Sequence, residues 1–243
     1  VVDKSVFNTH NDLIAVKNGV VNLRTGELID SCPEYYITIK SPCAYNPEAP
    51  RPERFWQFMN EITSGDIDLR EYLLRVLGYS LTGEIKEQAF FVFYGNGANG
   101  KSVLVNLLRN ILGTLTGSVA QDAFILKRNG NSLNPSLVNV KDTRMAFVSE
   151  GNNGQEMDSA LIKSISGGDD VQARELYKGF ISLNPHFKIF ITTNYMPAIN
   201  FADDAMLRRT KIIRFENQFT GDKCDYEIPA KLQAEAEGIL VTP

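Results

Sequence analysis

The chain has 243 residues, 43% hydrophobic and 22% charged, enough for one sizeable core and a smaller satellite domain. A net charge of −4 excludes a surface that attracts nucleic acid as a whole, so any such binding needs a local basic patch. No apolar run reaches membrane-spanning length and no signal peptide is visible. Cys32, Cys43 and Cys224, with the distant His10 and His186, form no zinc signature and read as three free cytosolic thiols. The chain opens on Val1 and stops soon after a new helical pattern begins, so it reads as a fragment of a longer polypeptide.

Residues 10–40 read as short strands. Asn18-Gly19 signals a two-residue hairpin, and Arg24-Thr25-Gly26 marks a second turn. Four prolines between 41 and 52 mark a loop or linker. Phe55, Phe58, Met59 and Ile62 then trace one helical face. Asp66 can cap a second helix whose face is Leu69, Tyr72, Leu73, Val76 and Leu77. Ordinary packing accounts for both helices; a subunit-contact collar is the functional alternative.

The most informative stretch runs from Ala89 to Leu112. Ala89–Tyr94 is an unbroken apolar run of the kind that forms a strand buried on both faces. Gly95-Asn96-Gly97-Ala98-Asn99-Gly100-Lys101-Ser102 is a G-x-x-x-x-G-K-S phosphate loop, and from Val103 onward apolar residues recur at helical spacing up to Gly113. Glycines let successive N–H groups curl around a phosphate chain at the positive end of a helix. Lys101 would reach the β- and γ-phosphates, and Ser102 would bind Mg²⁺. Gly95-x-Gly97-x-x-Gly100 also spells a dinucleotide fingerprint, with Asp122 as its acid. That reading leaves Lys101-Ser102 without a role and Asp122 off any convincing strand. A nucleoside triphosphate with Mg²⁺ is the expected ligand.

Residues 113–142 are polar, weakly patterned and read as loops. Met145–Val148 is a second buried strand ending in Ser149-Glu150. An acid there would orient Mg²⁺ or the attacking water, or be an ordinary strand-end carboxylate. Asp158 can cap a short helix carrying Leu161, Ile162 and Ile165. Val171–Tyr177 and Phe180–Leu183 read as a hairpin with Lys178 near its tip. Phe187–Thr193 is a third strand ending on Asn194, which is either a cap or a sensor of the γ-phosphate. Arg208-Arg209 precede a fourth strand, Lys211–Phe215, and are either solvated or an arginine finger for a neighbour's site.

Taken together, Gly95–Ser102, Ser149-Glu150, Lys163-x-x-x-Gly167-Gly168-Asp169, Ala173-Arg174-x-Leu176-Tyr177-Lys178, Thr192-Thr193-Asn194 and Arg208-Arg209 resemble superfamily 3 helicases of the poxvirus-type and phage or plasmid primase-helicase kind. Lys17–Gly26 and Leu77–Gly83 resemble that family's region upstream of its ATPase. The resemblance covers residues 10–220 and implies an α/β fold: a AAA+ core with a mainly parallel sheet flanked by helices, after a small α+β N-terminal region. It implies segments at 1–52, 53–85, 86–218 and 219–243, the last cut short. It further implies a ring, usually a hexamer, that hydrolyses ATP and tracks single-stranded DNA 3′ to 5′ at a replication fork in the host cytoplasm, with a primase domain upstream.

The same resemblance assigns phosphate binding to Gly95–Val103, catalysis to Lys101, Glu150 and Asn194, and metal to Ser102 and Glu150. Arg208 or Arg209 is the finger supplied in trans, with Arg209 favoured. Lys178 grips DNA backbone; Arg174 and Tyr177 either join it or brace its hairpin, and Lys163 is divided between pore and structural roles. The alternatives are a AAA+ ATPase that remodels protein or packages DNA without unwinding, and a nucleotide-dependent origin-binding module.

Overall fold

The computed structural model of the chain describes residues 3–126, 135–148, 156–174, 179–199 and 202–242. Its first strands, β1 (Leu13–Val16), β2 (Gly19–Asn22) and β3 (Glu27–Ile29), form an antiparallel sheet in that order. The expected hairpin is present with its turn one residue early: Val16 faces Gly19, so Lys17 and Asn18 make the turn. Two contacts account for the shift. The Asn18 Nδ2 donates to the Tyr45 carbonyl and its Oδ1 accepts from the Tyr45 amide, both at 2.9 Å. Gly19 stands inside the ladder, where a Cβ would come within 2.6 Å of the Ile29 carbonyl oxygen.

Helix α1 (Glu53–Ile62) buries Phe55, Phe58, Met59 and Ile62, the residues its sequence places on one face. Helix α2 (Ile67–Leu81) begins where the Asp66 carboxylate accepts from the Leu69 amide at 2.9 Å. Its buried stripe is Leu73, Leu74, Val76, Leu77 and Ser80. Tyr72, expected on that stripe, is exposed. Ser80 can be buried because its hydroxyl donates to the Val76 carbonyl at 2.6 Å.

Strand β4 (Phe90–Tyr94) leads through the glycine loop into α3 (Lys101–Leu112). The region expected as loop then holds β5 (Thr116–Val119), a 3₁₀ turn at Gln121–Phe124 that buries Ala123 and Phe124, and the short α4 (Pro135–Val138). In β5 only Val119 is buried, so Thr-Gly-Ser-Val carries neither alternation nor an apolar run. β6 (Met145–Val148) and α5 (Ser159–Gly167) follow, with Asp158 accepting from the Leu161 amide at 3.0 Å. β7 (Val171–Arg174) and β8 (Phe180–Leu183) form the expected hairpin, Arg174 opposite Phe180. The chain continues through β9 (Lys188–Thr193), α6 (Asp204–Arg209), β10 (Thr210–Arg214), α7 (Ile228–Ala234) and α8 (Ala236–Leu240).

These elements pack as two compact units. One comprises Val1–Gly83, Gly97–Thr116 and Phe215–Pro243; the other comprises Glu84–Asn96 and Gly117–Arg214. In the first, α7 contacts both α1 and α3, so helices far apart in sequence share a core.

The second unit is built on a five-stranded sheet in the order β10-β4-β9-β6-β5. β4 pairs in parallel with β10 and β9, and β9 pairs in parallel with β6. Strands β4 and β6 are buried almost throughout, as expected where helices cover both faces. Leu137 of α4, Ile162 and Ile165 of α5 and Met206 of α6 share one core with Val92, Ala146 and Ile191 of the sheet. Within the sheet, Phe190 meets Phe91, Phe93 and Phe147 at ring-centroid distances of 5.0, 5.4 and 5.4 Å. This is the mainly parallel α/β fold with a small N-terminal sheet that the sequence led us to expect. Among the described residues, no helix is long and apolar enough to cross a membrane.

Candidate nucleotide-binding site

Parallel strands all deliver their C-terminal ends to one edge of a sheet, and ligands of open α/β sheets gather there. At that edge in the second unit, Tyr94 pairs with Thr193 and the Gly95 amide donates to the Thr193 carbonyl at 3.3 Å. The start of the glycine loop and Asn194 are therefore neighbours. Thr193 shapes the turn around Asn194, its hydroxyl accepting from the Tyr195 amide at 3.1 Å and donating to the Tyr195 carbonyl at 2.6 Å. Strand β6 ends beside β9, Val148 facing Ile191. Ser149 and Glu150 lie just past it, outside the described residues.

The rest of the loop belongs to the first unit. Gly97, Ala98 and Gly100 have φ of 75°, 47° and 86°, so three left-handed residues bend the chain before α3 begins at Lys101. Such a curl turns amides toward one centre. Lys101 is 3% exposed, with Nζ donating to Asn99 Oδ1 at 3.1 Å, while Ser102 beside it is exposed.

Next to this loop, within the same unit, lies a cavity of about 810 Å³. Ala98, Gly100 and Val103 form its loop side, Phe58 of α1 and Ile228 of α7 its flanks, and Phe219 and Asn217 a further wall. Charged groups rim it in a connected set. Arg54 bonds Glu61 at 3.1 Å and Lys231 bonds Asp225 at 2.9 Å. The Lys231 hydrogen bond holds the Asp225 carboxyl below its ordinary range, and Asp225 in turn holds the Lys231 ammonium above its own. Apolar flanks with a few fixed polar groups suit a flat base and a ribose, and a curl of amides with a buried lysine suits the phosphates beside them. The residues present thus fit a nucleotide. Sequence reasoning did not find the cavity. Phe58 repeats at core spacing, and Asn217–Lys231 lie far along the chain with no local pattern.

Among the described residues, no three His, Cys, Asp or Glu side chains cluster as a metal site. The three cysteines are free thiols.

Arg209, favoured from the sequence as the finger, is 8% exposed. Its guanidinium donates to the Ala205 carbonyl at 3.1 Å and to Gln88 Oε1 at 3.2 Å. Those partners belong to its own unit and turn it inward. Arg208 is exposed. Lys163, one of the expected DNA contacts, is paired with Asp203 at 2.8 Å, and this bond keeps the Asp203 carboxyl below its usual range. Because Asp203 also caps α6 by accepting from the Ala205 and Met206 amides, Lys163 ties α5 to α6. Arg174 stands at the last position of β7; Tyr177 and Lys178 lie outside the described residues.

Comparison with known proteins follows the same lines. Residues 1–64 match a family described as "D5 N terminal like", and residues 93–209, from β4 to the arginine pair, match a family of unknown function, DUF5906. A putative helicase of Acanthamoeba polyphaga mimivirus is 35% identical over 217 residues, covering 88% of this chain and 22% of its own length. Primase D5 of fowlpox virus is 30% identical over 166 residues, covering 66% of this chain and 21% of its own. The chain is thus similar to D5-type viral helicases and primases, the group that its motifs resemble. It spans about a fifth of the length of these D5-type relatives. The solved apo structure of the NrS-1 C-terminal region superposes with a TM-score of 0.62 over 81% of this chain and 46% of that one, and at 17% identity it shows a shared fold.

Proposed function

We propose that this chain is the motor domain of a superfamily 3 helicase: a AAA+ ATPase that closes into a ring, a hexamer, and draws single-stranded DNA 3′ to 5′ at a replication fork. Its longer parent chain would carry a primase domain upstream. The observation that carries this reading is the curled loop with buried Lys101 beside a cavity with apolar flanks. In this reading Lys101 and the loop amides hold the phosphates and Ser102 takes the Mg²⁺ that ATP brings, while the roles of hydrolytic and sensor residue fall to Glu150 and Asn194. Phe58 and Phe219 flank the base. The β7–β8 hairpin with Lys178 grips DNA backbone through charge, a contact independent of sequence and weakened by salt.

ATP turnover with and without single-stranded DNA tests the proposal, with Lys101→Ala as the blank and sizing in ATP and Mg²⁺ as the check on assembly. Turnover stimulated by DNA and absent from the blank is the expected result, followed by strand separation on a fork. Turnover indifferent to DNA in an assembled ring would favour remodelling or packaging over translocation.

The two arginines are expected to separate. Arg208→Ala should lower turnover of the assembled protein about a thousandfold, as loss of an arginine finger does, and leave the thermal midpoint unchanged. Arg209→Ala should instead destabilise by about 1–3 kcal/mol, since it removes a buried donor from Gln88 and the Ala205 carbonyl. Full turnover by assembled Arg208→Ala would remove it from that role.

A further inference from the structure

A short strap of chain, Phe215–Phe219, leaves β10 and fastens to both sides of the nucleotide site in the first unit. On the cavity side, Asn217 Nδ2 donates to the Glu61 carbonyl of α1 at 2.9 Å, and Asn217 and Phe219 help to line the cavity. On the phosphate side, the Phe219 amide donates to the Ala98 carbonyl at 2.7 Å, and the Phe215 carbonyl accepts from Asn99 Nδ2 at 3.2 Å. Asn99 Oδ1 accepts from Lys101 Nζ at 3.1 Å. Both Asn99 and Lys101 are 3% exposed.

The chemistry of these partners leaves Asn99 one orientation. A backbone carbonyl can only accept and an ammonium can only donate, so the amide nitrogen must face Phe215 and the oxygen must face Lys101. An ammonium withdrawn from water needs fixed acceptors, and Asn99 supplies one without competing for the whole charge as a carboxylate would.

We propose that Asn99 is a positioning residue: anchored on the strap, it holds the Lys101 ammonium in the place from which it meets a phosphate chain. The inference rests on the nucleotide reading of the loop. One segment then sets both sides of the site, the cavity wall through Asn217 and Phe219 and the lysine through Asn99.

The test is a binding cycle on the whole chain, with ADP and AMP titrated by calorimetry into the unsubstituted protein, Asn99→Ala, Lys101→Ala and the double variant. Lys101 serves the phosphates beyond the first. Asn99→Ala should therefore weaken ADP about ten- to a hundredfold, the range for a hydrogen bond to a charged group, while AMP changes less than about twofold. Because Asn99 acts through Lys101, adding Asn99→Ala to Lys101→Ala should move ADP affinity by less than about twofold. Additive losses in the cycle, or equal losses for ADP and AMP, would reduce Asn99 to a structural brace and overturn the proposal. Asn99→Asp keeps the shape and guards against a variant that fails to fold. Its carboxylate engages Lys101 and turns an acceptor toward Phe215, so ADP should weaken while the circular dichroism of the folded chain is retained. Unchanged ADP affinity in Asn99→Asp would also overturn the proposal. No ADP binding by the unsubstituted protein would overturn the nucleotide reading itself, and that outcome is distinct from all the others.

Discussion

Alanine at Gly100 is expected to destabilise the first unit by about 2–4 kcal/mol and to weaken nucleotide binding with it. Gly100 precedes α3 with φ of 86°, where an L side chain costs about 1–2 kcal/mol of backbone strain. Space makes the matter worse. A Cβ at Gly100 would lie 2.5 Å from Ile62 Cγ2 and 3.3 Å from Phe58 Cε2, and both side chains belong to the buried face of α1. Ile62, the nearer of the two, has no free direction at 0% exposure. The loop or the helix must therefore move, and the loop's curl moves with it. Gly97 is the internal control: its φ of 75° is equally left-handed, but no atom lies within 4 Å of its would-be Cβ. Gly97→Ala should cost about 1 kcal/mol, the strain alone. Thermal denaturation of the two variants checks the contrast. Equal midpoints would mean that α1 does not hold the loop in shape.

That contrast also separates what the sequence carries from what it does not. Ala89–Leu112 was legible because strand, loop and helix each leave a local mark: an apolar run, glycines at fixed offsets, then helical spacing. The buried face of α1 and the caps at Asp66 and Asp158 were legible for the same reason. Contacts across long sequence separations were not. Gln88, which holds Arg209, is 121 residues from it, and Asn217 and Glu61 are 156 apart. An arginine pair before a strand reads alike whether its second member faces inward or outward. Nothing in the local pattern of Phe58 distinguishes packing from lining a cavity. The hairpin turn moved by one residue because Tyr45, beyond the hairpin, holds the Asn18 side chain. Edge strand β5 left no mark because an edge need not be apolar.

Methionine at Lys188 is expected to stabilise the second unit, by about 2–4 kcal/mol near neutral pH. Lys188 opens β9 at 2% exposure, its amide bonded to the Arg144 carbonyl at 2.9 Å. Burial pushes its ammonium down from 10.5 to about 7, and the Arg144 guanidinium pushes the same way while Glu84 opposes them. Between those two values the unfolded chain binds a proton that the folded chain does not. Stability should therefore rise with pH from about 7 toward 10.5, by at most about 1.4 kcal/mol per pH unit, and the burden is fully present below 7. The whole interval corresponds to about 5 kcal/mol, of which methionine recovers a part because the site must repack. Its removal does not strand Glu84, which also pairs with Lys86 at 2.6 Å, and it relieves Arg144 of a like charge. Denaturation followed from pH 7 to pH 10 should show Lys188→Met leading at neutral pH and the two proteins converging as the lysine loses its proton. A constant difference across that range would mean that packing, not charge, separates them. A destabilised variant at pH 7 would mean that the ammonium gains more from its neighbours than it loses by leaving water. Asn194 lies at the opposite end of the same strand, and the substitution leaves the β4–β9 register untouched. Nucleotide affinity is accordingly expected to stay at its wild-type value while the unit that presents Asn194 becomes harder to unfold.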